Sequence, residues 1–164
     1  STTATSLLED LMRYIRFSAD DAELMKAMGP WLRPHFPRIV EKFYEAIDRT
    51  PGAASVFTGG PAQVERQKNL LHLWLGGLVE GSYDEAYCER RARIGRTHVR
   101  IGLDQRYMFG AMNLIREGLH AALDESSWDL ERRQRAHATI DRVCDLELAI
   151  MLEAYREAYT ARVK

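Results

Sequence analysis

The stretch Arg93-Ile94-Gly95-Arg96-Thr97-His98-Val99-Arg100-Ile101-Gly102-Leu103 sets a histidine near the end of a segment with helical spacing. Positions three and four residues apart share one face of a helix. Around His98 these are Ile94, Gly95, Ile101 and Gly102, so two glycines and two isoleucines flank the imidazole. A glycine inside a helix costs ~1 kcal/mol relative to alanine. Two of them on one histidine's face need a physical reason.

One reason is that something broad and flat approaches the backbone there. A porphyrin has that shape, and neutral imidazole is a good iron ligand. The ring's second nitrogen would be oriented by Thr97 or by a carbonyl one turn back. No CxxCH attachment motif occurs, so such a group would be held without a covalent bond. The other reason is that Gly95 and Gly102 allow close helix packing around a core histidine. Residue types alone leave both readings open.

The chain has four further histidines. His72 lies within Leu70-Leu71-His72-Leu73-Trp74-Leu75, on a helix expected to cross the opposite side of the pocket, and is the alternative second iron ligand. Leu71 and Leu75 define the better apolar stripe there, which would turn His72 away. His35, in a proline-rich first turn, and His120 and His137, among polar neighbours, read as structural or solvated.

Working outward, Leu, Ala, Glu, Arg and Met recur at spacings of three and four, and the five prolines all precede Val64. This predicts an all-α chain. Ser18 is expected to cap a helix from Ala19 that Gly29-Pro30 stops. The next runs from about Arg33 to Arg49, with Pro34 and Pro37 tolerated in its first turn. A single turn over 53–57 precedes a helix opened by Pro61 and ending near Gly81. Helices then follow over Tyr83 to Ile101 and Gln105 to about Leu123, the latter capped by Asp104.

Ser126 or Ser127 is expected to cap the last helix, Trp128 to Lys164, which lacks Gly and Pro. At ~1.5 Å per residue it would be about 55 Å long and is expected to continue beyond the chain's end. Leu146, Leu148, Ala149, Ile150, Met151 and Leu152 surround its axis, so one face calls for a partner, most simply a homodimer. The alternative is a central helix in a monomer. Residues 1–6 are expected to form a disordered tail, and residues 7–164 one domain.

The 164 residues suffice for a hydrophobic core. Lys plus Arg (23) nearly balance Asp plus Glu (24), so no field favours nucleic acid or an anionic membrane. Cys88 and Cys144 fall in helical stretches without ligand spacing and are expected to be free thiols. No apolar run approaches a membrane span and no leader is evident, which gives a cytoplasmic expectation.

Arg93-Ile94-Gly95-x-x-His98-x-Arg100-Ile101-Gly102-Leu103, followed by Tyr107-Met108-x-Gly110-Ala111-Met112, resembles the globin domain of globin-coupled sensors. The resemblance extends to Phe43-Tyr44 and to Gln63-Val64-Glu65-Arg66-Gln67, and among members it is most like that of a globin-coupled histidine kinase. It implies a globin fold with a reduced D-helix region, haem b (iron protoporphyrin IX), and His98 as proximal iron ligand. It also implies Tyr44 on the distal side, where a hydroxyl in an apolar pocket donates to a partly negative oxygen ligand. Phe43, Phe57, Leu70, Leu71 and Trp74 would wall the haem, with Gln67 or Lys68 also facing it. Ile94, Gly95, Ile101, Tyr107, Met108, Ala111 and Met112 would lie on the proximal side.

The implied function is a sensor of O2, with CO and NO as further ligands, or of iron oxidation state. Its signal would pass through a dimer of the last two long helices to a C-terminal histidine kinase. Three rivals stand beside it. Glu117-x-x-His120 has the spacing of paired-metal bundles, but one copy is insufficient. A cofactor-free dimerisation module and a gas-binding or peroxidase protein are the others.

Overall fold

The computed structural model describes residues 6–163, among which every regular element is helical. Helix α1 (Leu7–Ile15) is followed by α2 (Ala19–Leu32), a 3-10 turn (Arg33–His35), α3 (Phe36–Asp48) and the short α4 (Pro51–Ala54). Then come α5 (Gly60–Leu78), α6 (Glu85–Arg100), α7 (Gln105–Asp124) and α8 (Leu130–Val163). No described helix is long and apolar enough to cross a membrane.

Several boundaries differ from expectation. Ser6 belongs to the fold, because its hydroxyl oxygen accepts the Glu9 N–H at 3.1 Å and caps α1; residues 1–5 lie outside the described residues. Gly29-Pro30 does not stop α2, which continues to Leu32. An internal proline costs ~3 kcal/mol, but Pro30 is exposed while Met25, Met28 and Leu32 are fully buried, so tertiary burial outweighs the local breaker. The turn expected at 53–57 forms instead at Pro51–Ala54. Helix α8 starts after Asp129, whose carboxylate accepts the Arg132 N–H at 2.9 Å, and neither Ser126 nor Ser127 caps it. Asp104 stands at the N-terminus of α7 but turns its carboxylate to Arg106, 3.2 Å away.

Helix α8 is the centre of the molecule and packs on α1, α2, α6 and α7. Leu146 and Ile150, both fully buried, meet Leu8, Tyr87 and Cys88 from α1 and α6. Leu148 and Met151 face the main core. The apolar surface that pointed to a partner is therefore covered within the chain by α6 and by α1, a helix not expected from the sequence although Ser6 caps it and Glu9 and Asp10 stand in its first turn. Cys88 and Cys144 are buried free thiols, as expected.

A polar clamp fixes α2 on α8. Asp21 accepts the Ser18 N–H at 2.9 Å, the Thr139 hydroxyl, and Arg142 at 3.1 Å. Burial alone would raise its carboxyl, but these donors outweigh it and hold the group below the usual range.

Candidate functional site

Two helix pairs frame the site. Helix α5 packs on α3 and α6 packs on α8, while α5 and α6 make at most marginal contact with each other. Between them Arg91 donates to the Trp74 carbonyl at 3.3 Å. Along both helices apolar side chains stay open, with Leu70 55% and Ile101 45% exposed and Leu71, Ile94 and Val99 half-buried. Exposed apolar groups of this kind are what an apolar ligand or partner would cover.

His98 stands in the last turn of α6. Its Nδ1 is buried without a hydrogen-bond partner, and burial holds the imidazole below its ordinary value, in the neutral form that binds metal. Thr97 does not orient it: no hydrogen bond joins the two, and the Thr97 hydroxyl donates to the Arg93 carbonyl at 3.1 Å. An orphaned, desolvated imidazole nitrogen costs free energy unless something coordinates it. On this observation the residues fit a haem.

Gly95 does not clear a face for a macrocycle, whereas the space beside Gly102 is open. A Cβ at Gly95 would lie 2.9 Å from the Met151 carbonyl oxygen and 3.0 Å from the Ala154 Cβ, so Gly95 lets α6 approach the backbone of α8. Gly102 has φ of 78° and ends α6. Its N–H reaches the Val99 carbonyl and the Leu103 N–H the His98 carbonyl, a left-handed helix stop. Close packing, the second of the two sequence readings, accounts for Gly95.

Tyr44 is buried on α3 with its ring 5.2 Å from Phe43 and 6.0 Å from Phe57. Burial pushes its hydroxyl up to about 12, so it remains a protonated donor. On α5 the Lys68 ammonium lies 5.9 Å from the Tyr44 ring centre and 3.3 Å from Glu41, and both Gln67 and Lys68 are half-buried. His72 is exposed, edge-on to Phe36 at 5.9 Å. Trp74, Met108 and Met112 are buried in the main core together with Tyr44.

Tyr107 and Ala111 do not share that placement. They line a separate cleft of about 300 Å³ with Phe43, Ile47 and Ala53. The Tyr107 ring passes so close to Gly52 that no Cβ fits there. The helical period explains the split, since 108 and 112 lie on one face of α7 and 107 and 111 on the next.

One buried polar element escapes the sequence reading. Arg91 and Glu147 approach to 2.8 Å with side chains 7% and 0% exposed. The approach is off the hydrogen-bonding axis, so charge more than directed bonding holds the pair. Burial raises the Glu147 carboxyl to about 7, against the opposing pull of Arg91. The available signal is a lone acid inside the apolar run Leu146-Glu147-Leu148-Ala149-Ile150-Met151.

This helix order, with a half-buried histidine at the end of the helix packed on the long last one, defines a globin fold. The chain belongs to the Protoglobin family, whose model matches residues 4–161. It is similar to the globin domain of the Geobacter sulfurreducens globin-coupled sensor, with a TM-score of 0.85 and 28% identity over 90% of this chain and 96% of that one. The ferric globin domain of E. coli DosC shares the fold, at TM-score 0.67 and 17% identity over 89% of this chain and 97% of that one. The heme-based aerotactic transducer HemAT of Halobacterium salinarum is 25% identical over 162 residues, 91% of this chain. The match spans 33% of that transducer's length.

Proposed function

We propose that this chain is the haem-binding sensor domain of a gas- or redox-responsive signalling protein. The observation that carries the reading is the half-buried, neutral His98 imidazole with a buried, unpartnered Nδ1. A haem b bound there supplies an iron centre for O2, CO or NO. His98 holds the iron, and Tyr44 donates its hydroxyl proton to a partly negative ligand oxygen. Leu70, Leu71, Trp74, Met108 and Met112 exclude water, while Lys68 carries positive charge beside Tyr44.

Helix α6 is well placed to pass a change at His98 onward. It packs more extensively on α8 than on any other element. Tyr155 of α8 also donates to the Leu103 carbonyl at 2.7 Å, just beyond the end of α6. A ligand shifts such a system only if the two arrangements of α6 on α8 bind it with different affinity. The output module beyond α8 is proposed to be a histidine kinase, and the relay a homodimer of α7 and α8. Both rest on the motif resemblance, and the transducer role of the Halobacterium salinarum relative supports a signalling output more generally.

Absorption spectroscopy tests the cofactor. The purified protein should show an intense haem band that His98→Ala weakens or abolishes. A protein still colourless after haem reconstitution sinks the proposal in favour of a cofactor-free module.

A further inference from the structure

The geometry points to a second site: we infer that His120 and His137 bind one first-row divalent ion, such as Zn2+ or Cu2+, at the α7–α8 face. Their Nδ1 atoms lie 2.6 Å apart and their ring centres 4.8 Å apart. Each outer nitrogen is held by a carboxylate on the opposite helix. His120 Nε2 lies 2.8 Å from Asp141 Oδ1, and His137 Nε2 lies 2.7 Å from Asp124 Oδ1. Arg116 anchors the arrangement by donating to Asp141 at 3.1 Å. The sequence carries His-x-x-x-Asp twice, at 120–124 and 137–141, and the antiparallel course of α7 and α8 crosses the pairs.

Counting protons shows what the pair lacks. An ionised carboxylate only accepts, so each Nε2 must carry a proton to donate. A neutral imidazole has one proton, which leaves both Nδ1 atoms as bare lone pairs aimed at each other. Two lone pairs at that separation repel unless something positive lies between them. A shared proton meets the need and leaves the pair with one positive charge. A metal ion meets it equally, and carboxylates fixing the far nitrogens of two histidines are the outer shell that metal-bound imidazoles use. Imidazole nitrogen suits Zn, Cu and Ni.

The dimensions allow it. With Zn–N near 2.0–2.1 Å and tetrahedral angles, two ligand nitrogens sit about 3.3 Å apart, so the nitrogens would separate by roughly 0.7 Å and the rings would tilt until their lone pairs converge on the ion. Both side chains are about one-quarter exposed, at 26% and 27%, which leaves water access to complete the coordination. No group of three or more metal-ligating side chains forms among the described residues, so the ion is held by two and exchanges readily. Where the bridging proton is present, each ion bound releases it to solvent. Glu117 is exposed and takes no part, which separates this site from the paired-metal bundle pattern.

The test is calorimetric titration of Zn2+ into the purified full chain, repeated with His120→Gln, His137→Gln and Asp124→Asn. One ion per chain is expected, with affinity falling by about 10-fold or more in either histidine variant and measurably in Asp124→Asn. Electron paramagnetic resonance of the Cu2+ form should show two imidazole nitrogens, and the absorption spectrum of any bound haem should stay unchanged. Absence of zinc binding, or histidine variants that bind as the parent does, overturns the inference and leaves a proton-bridged pair. Circular dichroism identifies a variant that fails to fold. In that case the nitrogen count on the unaltered chain decides, and fewer than two refutes the site.

Discussion

Gly95 meets Met151 backbone to backbone: a Cβ on residue 95 would stand 2.9 Å from the Met151 carbonyl oxygen. The helix carrying His98 and the long central helix therefore touch with nothing between them. Alanine at 95 gains ~1 kcal/mol of helix propensity, but its methyl must displace a main-chain carbonyl, and overpacking of that kind costs about 1–3 kcal/mol. Gly95→Ala should lower the midpoint of chemical denaturation. A raised midpoint would show that α6 yields freely from α8.

The buried Arg91–Glu147 pair makes stability depend on pH. Burial raises the folded-state carboxyl from 4.5 to about 7, so the folded protein binds more protons than the unfolded chain between those values. Stability should be greatest below the unfolded value and decline as pH rises through that window, by at most about 1.4 kcal/mol per pH unit. Glu147→Gln should flatten the profile, which thermal melts across the range would reveal. Arg91→Ala leaves the acid without its counter-charge and should cost about 3–5 kcal/mol at pH 8.

Asp21 has the opposite sign. Its donors hold the folded-state carboxyl below 3.8, so its contribution is complete above that value and is lost as pH falls through the folded one. Asp21→Ala removes the capping-box carboxylate that accepts the Ser18 N–H at the start of α2, worth about 1 kcal/mol. It also strands the Thr139 hydroxyl, which is 1% exposed, for a further ~1–3 kcal/mol. Denaturant titration at pH 7 should show the loss, and the variant's acid unfolding should be less steep.

On the proposed function, Tyr44→Phe keeps the ring contacts with Phe43 and Phe57 and removes only the donor. One hydrogen bond of about 1.4 kcal/mol corresponds to a 10-fold change. Oxygen dissociation measured by stopped flow should accelerate by about that factor, while CO dissociation changes less. Equal rates in both proteins would remove Tyr44 from ligand retention.

Much of the architecture is legible in the residues alone. Periodicity places the long helices to within a few residues, because amphipathic stripes and caps are local properties. The departures share one cause. Pro30 and the start of α8 differ from expectation because burial of Met28 and Leu32, and the competing cap at Asp129, depend on what packs nearby. Helix α1 is only nine residues long and would be marginal alone, yet with α6 it covers the face of α8 that had suggested a partner.

The residues by themselves determined that this chain is helical, that His98 ends a helix on an apolar face, and that its motifs resemble those of sensor globins. Only the folded arrangement decided what Gly95 is for, which of Gln67 and Lys68 stands over Tyr44, and that His120 and His137 meet. Local spacing dictates which residues share one helix's surface. It carries no information about which surface of another helix arrives opposite, and that pairing is settled by burial summed over the whole core.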